Sequence, residues 1–301
     1  MQKFLDWLER VLTPLAKVIG ENKYLVAIRD GFLLSTPLLI VGSVFLLIAN
    51  FPLPQWDTWM SHLLGKDWAT MMSVPASASF DVMTILAVVG IAYSLGKQFN
   101  VDAMQAGIIA LVSFFIVTPY QTLFTPENSS KVYEVTSLPL KWMGSSGLFL
   151  GMIVALIATR LFVAIVRKGW TIKMPEGVPP TVVKSFEALI PSFLVVTLMF
   201  LVNWLAALTP YGNLQDVIFE FLQTPLLSLG NTLGAMSIAY LFLHFFWFFG
   251  INGGSVVGAV FNPVLRALSV ENLQAFKDGH EIPNIITGHL QHLVAPVPHS
   301  H

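Results

Sequence analysis

The sequence contains no cysteine. That excludes disulfides, thiolate nucleophiles and cysteine-ligated metals, and it leaves the compartment unreadable from redox usage. Charge is scarce as well: Asp, Glu, Lys and Arg make up 11% of 301 residues, too little to cover the surface of a soluble protein of that length. The net charge of −1 offers no basic footprint for nucleic acid. Acids are missing altogether from the long apolar runs, which speaks against a proton- or sodium-coupled carrier. Those runs also lack a nucleophile–base pair, a glycine-rich phosphate loop and a metal-ligand cluster. No independent enzyme active site, metal site or cofactor site is therefore expected.

What is present is length without charge. Gly31–Asn50 carries no Asp, Glu, Lys or Arg over 20 residues, and a helix of that length spans roughly 30 Å, the hydrocarbon thickness of a bilayer. Comparable runs follow at Val82–Gly96, Ala103–Thr118, Gly144–Val166, Ala188–Leu208 and Thr232–Ile251. The pattern predicts an all-α polytopic membrane protein with about six transmembrane helices. With the N-terminus in the cytoplasm, 13 of the 16 Lys and Arg fall inside and three (Lys66, Lys131, Lys141) fall outside. That asymmetry obeys the positive-inside rule.

The pattern divides the chain into five stretches. Residues 1–30 read as an amphipathic cytoplasmic leader, with Phe4, Leu8, Val11, Leu12, Leu15 and Ile19 at helical spacing and a kink near Pro14. Residues 31–209 hold five spans. Residues 210–230 form an amphipathic connector carrying Asp216 and Glu220. Residues 231–288 begin a second bundle, and 289–301 form a tail with four of the seven histidines and no span-like pattern. Between the fourth and fifth spans, Pro175, Pro179 and Pro180 hold a basic loop extended. That loop is either a stiff linker or a surface for a cytoplasmic partner. After the sixth span, Val256–Leu265 is too short to cross and is interrupted by Asn262-Pro263, which predicts a short re-entrant segment released by Gly253 and Gly254.

The polar groups expected within the membrane are mostly neutral: Asn203, Tyr240, Asn231, Asn252, Ser255 and Asn262, with His244 as the titratable exception. Amides both donate and accept hydrogen bonds, which suits a neutral polyhydroxylated solute such as a sugar. Trp247, in an aromatic cluster, is placed to stack on a sugar ring; most of its aromatic neighbours need be no more than packing or lipid-facing residues. Asn252 sits between glycines directly after a long span, where discontinuous helices build substrate sites in transporters. The candidate substrate-binding residues are Asn252, Gly253, His244, Asn231 and Trp247. His244 reads first as a packed, hydrogen-bonded membrane histidine and second as a sugar ligand.

Several motifs together resemble one family. They are Ala27-Ile-Arg-Asp-Gly-Phe, Asn100-Val-Asp-Ala and Val117-Thr-Pro-Tyr in the first half. Trp170-Thr-Ile-Lys-Met-Pro, Val178-Pro-Pro and Ser185-Phe-Glu-Ala-Leu-Ile-Pro follow, then Thr224-Pro-Leu, Ser228-Leu-Gly and Trp247-Phe-Phe-Gly-Ile-Asn-Gly. In combination they resemble the membrane-spanning IIC permease of the lactose/cellobiose/chitobiose branch of the phosphoenolpyruvate-dependent sugar phosphotransferase system. The resemblance covers residues 1 to about 288.

The resemblance implies a bacterial plasma-membrane permease, dimeric through its first five spans, whose later part carries a β-linked disaccharide. It implies cytoplasmic partners too: a IIB protein whose phosphocysteine phosphorylates the sugar's 6-hydroxyl, and a IIA protein that recharges IIB. The phosphoryl donor residue would therefore lie on IIB, and the permease would position and desolvate the reacting hydroxyl. Two departures follow. Some relatives have His where this chain has Asn252, and an amide cannot serve as a base there. The family also continues past residue 301 into an Asn-Glu-Pro-like motif whose glutamate contacts the sugar, so no catalytic carboxylate is assigned and the chain is expected to be truncated and transport-incompetent alone. The alternatives are a non-transporting assembly subunit that dimerises or pairs with the remainder of a permease, and an ion-coupled sugar carrier.

Overall fold

In the computed structural model, residues 21–124, 132–230, 232–248, 253–277, 279–285 and 287 are described. Helix α1 (Lys23–Ala49) is capped by Asn22, whose side-chain oxygen accepts the Tyr24 and Leu25 amides. Short α2 (Trp56–Leu64) leads to α3 (Trp68–Phe80) and α4 (Met83–Gln98). A turn follows in which Asn100 adopts left-handed backbone at φ 56°, a conformation asparagine tolerates well. Asp102 then caps α5 (Ala103–Ile116) by accepting the Gln105 amide at 3.1 Å. The Asn-Val-Asp-Ala motif is thus the tight turn and the helix start in one.

A small antiparallel hairpin, β1 (Gln121–Phe124) with β2 (Tyr133–Thr136), leads to α6 (Leu140–Met143) and the single turn Ser145–Gly147. Helix α7 (Leu148–Arg167) follows, then α8 (Pro180–Glu187) and α9 (Leu189–Ala207). The connector is α10 (Leu214–Ile218), a π-turn at Phe219–Gln223 and α11 (Thr224–Gly230). The last described helices are α12 (Leu233–Phe248) and α13 (Gly253–Lys277).

Among the described residues four helical stretches are long and apolar enough to cross a membrane: Lys23–Ala49, Trp68–Gln98, Ser145–Arg167 and Pro180–Ala207. Ala103–Ile116 and Leu233–Phe245 are shorter apolar helices. The all-α membrane architecture predicted from sequence is the one observed.

The packing is built on small residues. Helices α1 and α4 cross backbone to backbone: a Cβ on Gly31 would lie 2.5 Å from the Ile91 amide nitrogen, and one on Gly90 2.6 Å from the Gly31 carbonyl oxygen. Ala27, Gly31 and Ser35, spaced four apart, form the buried stripe of α1. This is the small-residue seam by which helices approach closely in lipid, where apolar surface alone gives no preference for a neighbour. The core runs through Val88, Ile91, Leu95, Phe114, Leu148, Ala155 and Phe162, and continues into Leu227, Val264, Leu265 and Leu268.

Three expectations change. The second span is longer than Val82–Gly96, because α3 packs on the second half of α1, with Ser79 and Ala76 against Gly42. The re-entrant segment expected at Val256–Leu265 lies inside one 25-residue helix, α13, with Pro263 in its interior. Proline is tolerated in a membrane helix when tertiary packing holds the chain on both sides; here Val264, Leu265 and Leu268 are buried in the core. Arg266 is not in a cytoplasmic loop. Its Nη2 donates to Thr36 Oγ1 at 3.0 Å and its guanidinium lies 5.4 Å from the Phe32 ring, beside the middle of α1. Helix α13 therefore runs alongside α1 toward its outer end. With Arg266 and Lys277 removed from the cytoplasmic set, eleven basic residues remain there, so the orientation stands.

Candidate functional site

The candidate residues from sequence lie around the junction of α12 and α13, apart from Asn231, which precedes α12 in the chain. Asn252 and Asn231 lie outside the described residues. Trp247 is in the last turn of α12 and Gly253 is the first residue of α13. His244 is exposed near the end of α12, with Nδ1 2.9 Å from the Tyr240 carbonyl and the two rings 6.5 Å apart. That contact is the local i to i−4 bond of a helical histidine, and the Nε2 edge remains available to a ligand. The α12–α13 hairpin is closed by a small cluster of Ala239, Leu243 and Val257, with Phe245 and Phe261 packed on it.

A second polar locus was missed from sequence. The break between α3 and α4 puts Asp81 in the middle of the Trp68–Gln98 stretch. There it joins Phe80, Leu140, Lys141, Gly144, Ser145, Ser146, Val270, Glu271 and Gln274 around a cleft of about 320 Å³. The reading that the spans hold no acids therefore fails at Asp81. On α13, Glu271 is held by Asn284, whose Nδ2 donates to Oε2 at 3.1 Å. Asn284 is itself locked to Asn272 by a reciprocal pair of bonds, 2.7 and 2.9 Å long. This polar knot fixes one wall of the cleft.

The opposite wall is fixed by the α6–α7 turn. Thr84 Oγ1 donates to the Gly144 carbonyl at 2.5 Å, and Gln223 Nε2, from the connector, donates to the Ser145 carbonyl at 3.1 Å. Gln215 Nε2 donates to Thr118 Oγ1 at 3.1 Å. Both glutamines are 1% exposed, so the connector is not a surface helix along its whole length but is pinned into the bundle at two points.

Chemically, the cleft offers two hydroxyls, an amide, two carboxylates and one ammonium against a partly apolar wall. That set accepts and donates hydrogen bonds in many directions, as binding a polyhydroxylated solute requires. Among the described residues no group of three His, Asp or Glu is arranged to hold a metal ion. The two loci stand well apart: Gly253 and Glu271 are about 27 Å from each other along α13 at 1.5 Å per residue.

The fold is that of a polytopic helical membrane protein with small-residue seams, a helical hairpin and a polar cleft. Comparison makes the class specific. The family model described as "Phosphotransferase system, EIIC" matches residues 29–295. The cellobiose-specific EIIC component of Geobacillus stearothermophilus is 38% identical over 290 residues, covering 95% of this chain and 64% of that protein. The lichenan permease IIC component of Bacillus subtilis (strain 168) is 38% identical over 288 residues, with the same coverage of 95% and 64%. The crystal structure of the transporter ChbC, the IIC component from the N,N'-diacetylchitobiose-specific phosphotransferase system, superposes with a TM-score of 0.91 at 40% identity. That match covers 95% of this chain and 66% of the other.

The chain belongs to the EIIC family of the phosphotransferase system. It spans just under two thirds of the length of the curated relatives. The family match runs to residue 295, past the boundary at 288 drawn from sequence.

Proposed function

We propose that this protein acts as the IIC component of a bacterial sugar phosphotransferase system, binding a β-linked disaccharide of the cellobiose or chitobiose type in the plasma membrane. The observation that carries this reading is the match over residues 29–295 joined to a superposition of 0.91 on a chitobiose IIC component. Cytoplasmic IIB delivers the phosphoryl group and IIA recharges it. In the transfer the P–S bond of the phosphocysteine breaks, a P–O bond forms at the sugar hydroxyl, and the hydroxyl proton leaves to solvent or to a base. The permease contributes position and desolvation rather than a covalent intermediate.

Asn252, Gly253, His244, Asn231 and Trp247 serve as sugar-binding residues in this reading. The Asp81–Glu271 cleft, about 27 Å away along α13, is a separate polar locus and not part of that set. Residues 31–209 form the scaffold through which two copies pair, and 231–288 belong to the substrate-binding part.

The test is uptake and phosphorylation of labelled cellobiose and N,N'-diacetylchitobiose. Membrane vesicles holding this chain would be supplied with IIA, IIB and a phosphoenolpyruvate-driven donor system. Saturable binding of one of the two sugars is the expected result, and IIB-dependent sugar phosphate inside the vesicles would overturn the expectation that this chain alone does not transport. Neither binding nor phosphorylation of either sugar, with the chain recovered as a stable dimer, would replace this reading with that of an assembly subunit.

A further inference from the structure

Three cations gather around one phenyl ring at the cytoplasmic end of the bundle. Phe99 follows α4, and its ring centroid lies 4.8 Å from Lys23 Nζ, 5.3 Å from Arg160 Cζ and 5.3 Å from Arg167 Cζ. Two of these are also held by the carbonyls that end α4. Lys23 Nζ donates to the Gln98 oxygen at 3.2 Å, and Arg167 Nη2 to the Phe99 oxygen at 3.1 Å. The ring face and the helix-end carbonyls favour positive charge, but neither neutralises it. All three side chains are exposed.

No carboxylate answers them among the described residues. The ion pairs there are Arg29–Asp30 and Lys184–Asp102. Glu21, two residues before Lys23, joins neither pair. Like charges this close repel one another, and a bound anion would relieve that repulsion.

Position decides which anion. Arg160 lies two turns inside α7, well before its end at Arg167. One turn earlier, Ile157 is 47% exposed on an apolar helix that crosses the membrane. The cluster therefore straddles the boundary between the acyl region and the headgroup region. An acidic patch on a soluble protein would meet Arg167 and Lys168 but would not reach Arg160 beside Ile157. A phospholipid reaches both, its phosphate among the cations and a chain along the Ile157 face.

We infer that Lys23, Arg160 and Arg167 form a binding site for the phosphate of an anionic phospholipid of the cytoplasmic leaflet, with Phe99 as its floor. The site ties the inner ends of α1, α4 and α7 together through a lipid. It stands independently of what the protein carries.

The experiment is a thermal-unfolding titration of the full chain in detergent with phosphatidylglycerol, phosphatidylcholine, inorganic phosphate and glycerol phosphate. Phosphatidylglycerol alone should raise the midpoint. Each cation removed should weaken the half-saturating concentration roughly fivefold, so that Lys23→Gln, Arg160→Gln and Arg167→Gln together weaken it roughly a hundredfold. Lys173→Gln, on the proline-rich loop, should leave the titration unchanged. Equal stabilisation by phosphatidylcholine would overturn the inference, as would an unaltered titration in the triple variant. Stabilisation by inorganic phosphate or glycerol phosphate alone would overturn the lipid in favour of a small-anion site. If the triple variant does not fold, Arg160→Gln decides: a roughly fivefold loss supports the site, and no loss removes it.

Discussion

Helices α1 and α7 are nearly equal in hydropathy and opposite in surroundings. Only 17% of the apolar stretch of Lys23–Ala49 is buried, against 56% for Ser145–Arg167. In a soluble protein such apolarity would place both in the core. Here lipid is as good an apolar solvent as the interior, so hydrophobicity does not separate inside from outside. What separates them is side-chain size at the contact. Helix α1 buries the small residues Ala27, Gly31, Ser35 and Gly42, with Phe32 as its one large buried side chain, and turns Leu33, Leu34, Leu38 and Val41 outward. Helix α7 packs several neighbours at once and buries large and small residues alike.

The strongest way to break this contrast is Gly31→Leu. The added side chain has no room against Ile91 and forces α1 off α4, at a cost of about 3 kcal/mol or more. Loss of a monodisperse peak in size-exclusion chromatography, with a collapsed thermal midpoint, is expected; an unchanged midpoint would mean the two helices do not cross there. Next comes the pair Leu148→Ala and Leu38→Ala. Leu148 is fully buried, and its truncation should cost about 2 kcal/mol through the cavity left behind. Leu38 is 52% exposed and its truncation should be nearly silent in thermal unfolding. Equal losses would erase the distinction between core and lipid faces.

Smaller effects sharpen the picture at the connector and the cytoplasmic turn. Gln223→Ala removes the donor to the partly buried Ser145 carbonyl and should cost about 1 kcal/mol. It should also loosen the cleft, read as faster hydrogen exchange over 144–148. Asp102→Ala deletes the α5 cap at about 1 kcal/mol.

Asp102 also sets a pH effect. The Gln105 amide first, and then Lys184, hold its carboxyl below the ordinary value, against a partial desolvation that pushes it up. A depressed carboxylate stabilises the folded state above its unfolded pKa, and that contribution is lost as pH falls through the folded one. Acid should therefore narrow the difference between the parent protein and Asp102→Ala, measured as thermal midpoints between neutral pH and about pH 3. A gap that widens in acid would reverse the assignment.

How much of this was legible follows from the same physics. Runs such as Gly31–Asn50 and Gly144–Val166 announce themselves, because backbone hydrogen bonding in lipid forces long apolar stretches into helix. Helix α3 did not, because its serines, alanines and Pro75 dilute the hydropathy that a window reads. Pro263 was read as an interruption because the sequence does not show the packing of Val264 and Leu268 that carries the helix through it. At the site, the Gly-Ile-Asn-Gly motif and His244 are visible in the sequence as local irregularities in an apolar run. The cleft was not, since Asp81, Ser145 and Glu271 come from three distant segments and meet only through tertiary packing. Arg266 looked like an ordinary loop cation, and only its bond to Thr36 reveals its depth.

The two buried glutamines of the connector have a mechanical consequence. Gln215 and Gln223 clamp the segment that leads into α12, and Gly230 abuts Val264 near the same end. The far end of the hairpin, around His244, is closed by the three-residue cluster of Ala239, Leu243 and Val257. A rod clamped at one end converts a small tilt at the clamp into a displacement that grows with distance along it. The α12–α13 hairpin is built as such a lever, with its fulcrum beside the cleft and its long arm toward His244.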